Sequence, residues 1–446
     1  MHNNCKRKCK SLDPEEREEC ERRCRRRELG FWLCCRTIGL LFILVVITVL
    51  VVIFAVVLKS PTTVPITTTT TTMTSGVSTT PPVGCTTVLF NTFDTVNTAT
   101  EYGTAISLSQ DGLTCALGAP LHDSPANDAG LVTAFEYVSM TWNAKGSDQL
   151  GTSASDNLGS FVNMHRSGTW MCAGARTSGI GYVRVWEYVA SAWVQRGADI
   201  IGGSSFAELT QCHIGNGGST IVVGASGYTG VNANEGRVRV FDYVASAWLQ
   251  RGANIDGDAV GSMFGRRVRI SEDGNRIIFT ATNAPQSRIL TYDWNGVGWS
   301  QPTPALTTCP GAVYTEIDMS STGNHIVIGN GSTGNACVYS WSGSMWVQHG
   351  NIVTPPGTII ITRDVALTES GLGMAVSHTT GESGAGTVTT YNLVGGTTWT
   401  QHWTNTISSD YGTSISLSDN GAYVGASFPS NDEGLIYECP FGTITA

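Results

Sequence analysis

The fold is decided by residues 236–274, which read GRVRVFDYVASAWLQRGANIDGDAVGSMFGRRVRISEDG. Apolar residues alternate from Val238 onwards, Trp248 marks a second strand, and a third strand follows Phe264-Gly265. A Ser-x-Asp-Gly turn at 271–274 then leads into a fourth. Four short strands joined by turns are typical of one blade of a β-propeller.

The same unit recurs towards the C-terminus. Its turn glycines are separated by steps of 56, 50, 56, 49, 48 and 50 residues, and its tryptophans by steps of 51, 55, 51, 47 and 53. The two series are Gly112, Gly168, Gly218, Gly274, Gly323, Gly371 and Gly421, and Trp142, Trp193, Trp248, Trp299, Trp346 and Trp399. Seven turns with six tryptophans predict an all-β, seven-bladed propeller in which one blade is split.

The split blade is the seventh. The last repeat stops before its tryptophan strand, whereas an additional strand precedes the first repeat. Matching Tyr102 with Tyr411 places Phe90 where Trp399 stands in the sixth blade. We therefore expect the N-terminal strand to complete the last blade and to remove the exposed edges of an open sheet.

Cysteines support this closure. The same register brings Cys85 and Cys439 within two positions of each other, so we predict a disulfide there. Cys309 and Cys337 flank one blade and form a second candidate pair, while the remaining propeller cysteines are interpreted as core packing: Cys115, Cys172 and Cys212. Asn330 begins the one acceptable N-glycosylation sequence.

Composition limits the class of partner. The net charge is −9, but residues 1–36 contain eleven Lys and Arg against seven Asp and Glu. The repeat region is therefore acidic, which argues against nucleic-acid binding.

Residues 1–37 form a basic segment that we expect to be cytoplasmic. Its cysteines are spaced as two C-x3-C pairs, namely Cys5, Cys9, Cys20 and Cys24. The pairs could hold a metal or form disulfides, but C-x3-C is looser than the spacing of most zinc sites. A solvated basic patch of reduced thiols facing acidic lipid is the favoured reading.

Residues 38–58, from Ile38 to Leu58, contain no charge and are long enough to cross a bilayer as a helix. The basic residues before them place the N-terminus in the cytoplasm, which predicts a type II signal anchor. Residues 59–84 are rich in threonine and proline and resemble an O-glycosylated stalk. The propeller, at 85–446, would therefore lie on the extracellular or lumenal side, or on a virion envelope.

Phe264-Gly265, together with the Gly-Ala pairs that close second strands, resembles the FG-GAP repeat of integrin-alpha-type seven-bladed propellers. These pairs are Gly118-Ala119, Gly174-Ala175, Gly224-Ala225 and Gly425-Ala426. The Trp-x-Gln-x-Gly phrases at 193–197, 248–252 and 346–350 resemble a variant found in microbial surface proteins and large DNA viruses. The resemblance covers residues 85–440 and implies a propeller, without naming a partner.

The turns of this sequence contain fewer acidic residues than the calcium-binding loops of that family. Integrin-type loops bind calcium through Asp-x-Asp-x-Asp-Gly, whereas the turns here have at most two acids and are better explained as hairpin turns. No cofactor is implied. A weaker calcium possibility rests on the loops between second and third strands.

These loops are also the predicted ligand-binding surface, because variable loops gather on one face of a propeller. The candidate residues are Leu121, His122, Asp123, Asn127, Asp128, Asn232, Asn234, Glu235 and Glu382. We interpret the repeating tryptophans as blade-packing residues rather than sugar platforms, because they recur at one position of each blade.

The sequence favours a binding protein over an enzyme. The histidines show no metal spacing, and no nucleophile elbow, zinc-protease or phosphate-loop motif is present. On strand alternation, Arg267 and Arg269 face one side and Arg266 the other, which does not form an arginine triad. We expect recognition or adhesion, with a glycan or protein as ligand; the alternatives are a glycosidase-like hydrolase and a non-binding envelope or coat component.

Overall fold

A computed structural model gives the architecture. It describes residues 86–89, 101–176, 181–202, 211–283, 286–306, 309, 315–355, 360–380, 385–407, 410–429 and 433–438. The predicted segments 1–37, 38–58 and 59–84 lie outside these residues, as do Cys85, Phe90, Glu382 and Cys439. Among the residues described, no helix is both long and apolar enough to cross a bilayer.

Seven antiparallel sheets of four or five strands are arranged in a ring, as the repeat predicts. The first strands of successive blades contact one another, and the first strand of blade 7 contacts that of blade 1. Blades 1 to 3 each carry an additional two-residue strand that pairs with the third strand. The chain is therefore an all-β, seven-bladed propeller.

The first four blades follow the chain directly. Blade 1 consists of β2 (Ala105–Leu108), β3 (Thr114–Ala119), β4 (Leu131–Val138), β5 (Thr141–Ala144) and β6 (Gln149–Leu150). Blade 2 consists of β7 (Phe161–Met164), β8 (Trp170–Ala175), β9 (Tyr182–Val189), β10 (Ala192–Gln195) and β11 (Ile200–Ile201). Blade 3 consists of β12 (Gln211–Gly215), a 3-10 turn (Asn216–Gly218), β13 (Thr220–Ala225), β14 (Arg237–Val244), β15 (Ala247–Gln250) and β16 (Ile255–Asp256). Blade 4 consists of β17 (Val268–Ile270), β18 (Arg276–Asn283), β19 (Gln286–Trp294) and β20 (Trp299–Ser300).

The last three blades end with the closure. Blade 5 consists of β21 (Thr315–Met319), β22 (His325–Asn330), β23 (Ala336–Trp341) and β24 (Trp346–Gln348). Blade 6 consists of β25 (Ile360–Leu367), β26 (Gly373–Thr380), β27 (Ala385–Val394) and β28 (Thr398–Thr406). Blade 7 combines β29 (Ile415–Leu417), β30 (Tyr423–Phe428) and β31 (Glu433–Glu438) with β1 (Thr86–Leu89). Thr86 pairs with Glu438 and Leu89 with Leu435, which confirms the predicted closure.

Glycines allow neighbouring blades to approach at the start of blade 4. Gly224 is the penultimate residue of the second strand of blade 3, and a Cβ built on it would lie 1.9 Å from the carbonyl oxygen of Gly265. Gly265 itself has a φ of +85°, a conformation that glycine adopts without steric cost. The Phe-Gly and Gly-Ala motifs of the sequence are thus two sides of one contact between backbones.

The recurring tryptophans pack between blades, as the sequence predicts. Each indole Nε1 of four outer strands donates to a backbone carbonyl of the preceding blade: Trp193 to Lys145 (2.6 Å), Trp248 to Arg196 (2.7 Å), Trp299 to Arg251 (2.9 Å) and Trp399 to His349 (3.0 Å). Because each indole N–H has a hydrogen-bond acceptor, the large ring can be buried without leaving an unsatisfied donor. The outer strands are therefore linked around the rim.

Two disulfides lie within the described residues. Cys309 and Cys337 are joined, which is the pair expected from the sequence. Cys172 and Cys212 are also joined, so their interpretation as simple core packing was wrong. They belong to β8 and β12, strands of adjacent blades that the packing of the ring brings together. Cys115 is buried and free, in the core position expected of it.

The glycosylation sequence is used structurally. Asn330 is fully buried, and its Oδ1 accepts hydrogen bonds from the backbone N–H of Ser332 (2.9 Å) and Thr333 (3.2 Å). A glycan on the Asn330 amide would require the turn after β22 to open, and glycosylation at Asn330 stays a prediction.

Candidate functional site

The two faces of the ring are built differently. The turn face carries the turns between the first and second strands of each blade, and the loop face carries the loops between the second and third strands. The first strands surround a central channel with a volume of about 850 Å³. Consecutive residues of the first strands line this channel, for example 105–108 in blade 1 and 161–164 in blade 2.

At the turn end of the channel, backbone hydrogen bonds join five of the seven pairs of neighbouring turns, a set that we call the turn ring. Its members are the second residues of the seven turns: Gln110, Arg166, Asn216, Glu272, Ser321, Glu369 and Asp419. Backbone N–H groups donate to the neighbouring turn from Gln110 to Arg166, Asn216 to Glu272, Glu272 to Ser321, Glu369 to Asp419 and Asp419 to Gln110, at 2.6–3.1 Å. The predicted hairpin turns therefore also tie the blades to one another.

Side chains reinforce this turn ring across single blades. Arg166 Nη2 lies 2.7 Å from Asp419 Oδ2, which spans blade 1, and His165 Nε2 lies 3.0 Å from Glu272 Oε2, which spans blade 3. The Glu369 carboxylate accepts from the Ser321 N–H at 2.6 Å. The turn end of the channel is consequently narrowed by paired groups.

The charged residues that line the channel are divided between its two sides. The arginines all belong to blades 2 and 4, where they are Arg166, Arg176, Arg266, Arg267 and Arg269. The acids other than Glu272 belong to blades 5 to 7, where they are Asp318, Asp364, Glu369 and Asp419. His213, on blade 3, lies between the two arginine-bearing blades. One wall of the channel is therefore basic and the other acidic.

The walls meet between blades 4 and 5. Arg269 Nε donates to Asp318 Oδ1 at 2.8 Å, and Arg267 pairs with the buried carboxylate of Glu316. Gln211 Oε1 accepts from Arg269 Nη1 at 3.0 Å. Arg266, Arg267 and Arg269 all line the channel, and Arg266 Nη2 lies 3.8 Å from Glu316 Oε1. The expectation that Arg266 faces away from the other two arginines is therefore wrong, because Arg266 and Arg267 precede β17 and strand alternation does not apply to them.

Burial changes the proton affinity of several channel groups. Burial raises the pKa of Asp364 to about 6, with Glu316 adding to the rise and Arg267 opposing it. Burial likewise raises the pKa of Asp419 to about 6, although Arg166 opposes the rise. For His213, burial lowers the pKa well below its ordinary value, and Arg269 lowers it further. The imidazole is therefore neutral near pH 7.

The first predicted loop, in blade 1, is held by its own side chains. Asp123 Oδ1 accepts from the Asp128 N–H at 3.0 Å, and His122 Nδ1 accepts from the Ser124 N–H at 3.2 Å. Leu121 is half-buried, whereas Asn127 is exposed. Asp123 thus uses one oxygen to fix the backbone of the loop.

The second predicted loop, in blade 3, is organised by Glu235. Only 2% of Glu235 is exposed, and its carboxylate accepts from the N–H groups of Val231 (3.1 Å) and Asn232 (2.7 Å). Glu235 therefore orders the loop, and its contact with a ligand stays a prediction. Asn232 is half-buried and Asn234 is exposed.

The structure places both loops on the loop face, but with blade 2 between them they do not form one site. Across the described ranges, no group of three or more His, Cys, Asp or Glu side chains converges as a metal site. Glu382, in the third predicted loop, lies outside those ranges.

Apolar side chains project from the loop face near blade 3. Val231 is 95% exposed and Val260 66%, and Met263 is also exposed. Their loops are joined by hydrogen bonds from the Gly261 N–H to the Ala233 carbonyl (2.9 Å) and from the Met263 N–H to the Asn234 carbonyl (3.1 Å). These three residues form what we call the loop-face patch.

Comparison with known proteins supports the fold. The β-propeller domain of Cps50 (Swd1) from Myceliophteria thermophila has a TM-score of 0.54 at 10% identity, covering 75% of this chain and 96% of that one. A chain of the mitotic checkpoint complex has a TM-score of 0.54 at 11% identity, covering 83% of this chain and 98% of that one. A chain of Kuenenia stuttgartiensis hydrazine synthase has a TM-score of 0.53 at 13% identity, covering 77% of this chain and 97% of that one. No protein-family model and no curated protein matches the sequence.

The division of charge in the channel was missed in the sequence, although a signal exists. Arg267 and Arg269, at the start of blade 4, and Glu316 and Asp318, on the first strand of blade 5, occupy matching alternate positions. Residues two apart share a face of a strand, so the two pairs predict neighbouring walls of opposite charge.

Proposed function

We propose that this protein is a membrane-displayed recognition or adhesion protein that binds a glycan or protein ligand through the loop face of its propeller. The ordered loop of blade 3 carries the proposal. Glu235 fixes the backbone at Val231 and Asn232, so the exposed Val231 side chain is presented without a large entropy cost on binding.

The loop-face patch supports the same function. Exposed apolar side chains that are grouped on ordered loops and surrounded by polar residues often mark interaction sites. Asn232 and Asn234 supply amides beside Val231, which suits a ligand with both apolar and hydrogen-bonding groups.

Display outside the cell rests on the sequence and on the disulfides. The apolar segment 38–58 and the threonine-rich segment 59–84 predict an anchor and a stalk. Two disulfides in the propeller suit an oxidising compartment. The resemblance of the Phe-Gly and Gly-Ala motifs to FG-GAP repeats supports the same location, because it is a resemblance to surface-displayed propellers.

Binding by the full-length chain tests the proposal. The chain, purified in detergent micelles, is applied to glycan and cell-surface protein arrays as wild type, Val231→Asp and Val297→Asp. Val297 is the matched control, because it is 89% exposed on a hairpin of the turn face. We expect Val231→Asp to abolish binding and Val297→Asp to preserve it; equal loss in both variants would contradict the proposal.

A glycosidase-like hydrolase is the second candidate, and the buried carboxyl group of Asp364 favours it. An acid whose pKa is raised to about 6 inside a cavity has the proton affinity of a general acid. Turnover of a fluorogenic glycoside panel by wild type, lost in Asp364→Asn, would support this candidate. Blank arrays together with no turnover would favour an envelope or coat component.

A further inference from the structure

Arg269 of β17 and Arg267, which directly precedes this strand, line the channel and have N–H groups that are not used in hydrogen bonds among the described residues. Arg269 uses Nε for Asp318 and Nη1 for Gln211, and Arg267 uses Nε for Glu316. Within the described part of the chain, the Nη2 atoms of Arg267 and Arg269 have no hydrogen-bond partner. The acids therefore orient the two guanidinium groups and leave one edge of each for a further acceptor.

His213 adds a third donor on the neighbouring strand. Its Nδ1 accepts the N–H of Ile270 at 3.4 Å, so in the neutral ring the proton resides on Nε2. The ring lines the channel, and the described residues provide no partner for Nε2. Three residues with an unused donor, His213 on β12 and Arg267 and Arg269 at the start of blade 4, thus line the same cavity.

The opposite wall offers acceptors. Asp318 lines the channel on blade 5, and Asp364 lines it on blade 6. Each carboxylate also accepts a hydrogen bond of 2.9 Å from a backbone N–H of the next blade, Asp318 from Leu367 and Asp364 from Ile415. A carboxylate oxygen has two lone pairs, so each can accept a further hydroxyl hydrogen bond. A solute across the channel would meet donors at one side and acceptors at the other.

We propose that the central channel binds a small polyhydroxylated carboxylate, a sugar acid, with its carboxylate on the Arg267, Arg269 and His213 wall and its hydroxyl groups towards Asp318 and Asp364. A carboxylate carries one charge, whereas a phosphate dianion would be repelled more strongly by the acids of the far wall. A neutral sugar would leave the guanidinium edges unpaired. This inference is independent of the ligand proposed for the loop face.

Calorimetric titration of the full-length chain in detergent micelles tests the proposal. The probes are D-glucuronate, D-glucose and inorganic phosphate. We expect glucuronate to bind at least about tenfold more tightly than either of the others, because only it satisfies both walls. Equal affinity for glucuronate and glucose would overturn the proposal.

A further arm distinguishes the source of the solute. An oligosaccharide with glucuronate at its non-reducing end is titrated beside the free acid. Tighter binding of the oligosaccharide identifies a glycan terminus that enters the channel, and tighter binding of the free acid identifies a free metabolite. Failure of both to bind would overturn the proposal.

A matched pair of double variants locates the site. Arg269→Gln with Asp318→Asn removes both charges of one channel pair. Arg184→Gln with Asp199→Asn removes a pair of the same kind outside the channel, where Arg184 Nε and Nη2 lie 2.8 and 2.7 Å from the Asp199 carboxylate. We expect about a tenfold loss of glucuronate affinity in the first and little change in the second; unchanged affinity in both would overturn the assignment.

Chemical protection of the wild type serves if the channel variant does not fold. Phenylglyoxal modifies accessible guanidinium groups, and peptide mass spectrometry reports Arg267 and Arg269 separately from Arg184. We expect glucuronate, but not glucose, to slow modification of the two channel arginines while Arg184 is unaffected. Equal modification with and without glucuronate would contradict the site.

Discussion

The two faces of this propeller are formed by the same seven blades, yet they obey different rules. On the turn face, equivalent residues of most blades make equivalent bonds, so that backbone hydrogen bonds of 2.6–3.1 Å join five of the seven pairs of neighbouring turns. On the loop face, blade 1 uses Asp123 and blade 3 uses Glu235, with different partners. The hydrogen bonds of the turn face are repeated from blade to blade, whereas those of the loop face differ between blades.

This difference separates what maintains the ring from what distinguishes the protein. Repeated contacts are restricted by the need of every blade to meet its neighbours, whereas an individual loop needs only to satisfy its own backbone. Variation of sequence within the loops therefore costs the fold little, provided that the backbone contact between Gly224 and Gly265 at the strand ends is kept. We expect functional differences among propellers of this kind to lie there and in the charges of the channel.

The largest expected effect tests the closeness of blades at the loop end. Gly224→Ala would place its Cβ 1.9 Å from the Gly265 carbonyl oxygen. Gly224 belongs to β13, and Gly265 belongs to the segment that leads into β17. We expect a loss of about 3 kcal/mol or more in the free energy of unfolding, because overpacking between backbones cannot be relieved by a rotamer change. Urea denaturation followed by tryptophan fluorescence measures the loss.

Gly274→Ala is the matched substitution at the turn end. Gly274 has a φ of +70°, but the nearest atoms to its Cβ position are side-chain atoms 3.3 Å away. We expect a smaller loss, of about 1 kcal/mol, from backbone strain alone. A Gly274→Ala variant that is less stable than Gly224→Ala would reverse the comparison.

The second prediction concerns how each loop is held. Glu235→Ala removes a buried carboxylate that accepts from Val231 and Asn232, and we expect a loss of roughly 2 kcal/mol in the free energy of unfolding. Amide exchange at these two residues should accelerate. Asp123→Ala, whose carboxylate is exposed, should cost less than about 1 kcal/mol and leave exchange in blade 3 unchanged. Equal exchange in both variants would show that Glu235 does not order its loop.

The third prediction uses the raised pKa of Asp364. Because this pKa is about 6 in the folded chain and near 3.8 in the unfolded one, its stabilising contribution is complete below pH 3.8 and is lost as the pH rises through 6. Between pH 7 and pH 5, wild type should gain roughly 1 kcal/mol relative to Asp364→Asn. Parallel pH profiles of the two proteins would contradict the shift.

The architecture could be predicted because it is repeated. Matching Tyr102 with Tyr411 aligns the two ends of the repeat region and predicts the pairing of β1 with β31. The tryptophan positions likewise predict packing between blades, since a residue at one place in each blade faces the same neighbour. Within a blade, the repeat length and the alternation of apolar residues directly predict the order of the strands and the faces of their side chains.

Contacts between blades were harder to predict. Cys172 and Cys212 lie on different strands of different blades, and their pairing depends on the rotation from one blade to the next, which the spacing does not specify. Glu235 is predicted to contact a ligand because it lies in a polar loop; in the structure its carboxylate accepts the N–H groups of Val231 and Asn232. The sequence identifies an acid without showing which donors it must satisfy.

The closure of blade 7 has a consequence for biosynthesis. β1 pairs only with β31 among the described strands, although about 350 residues separate them along the chain. During translation the first strand of the propeller must therefore remain without its hydrogen-bonding partner until almost the whole repeat region has left the ribosome. Blades 1 to 6 can form as the nascent chain lengthens, whereas the final blade assembles last, and chaperone dependence should concentrate in that interval.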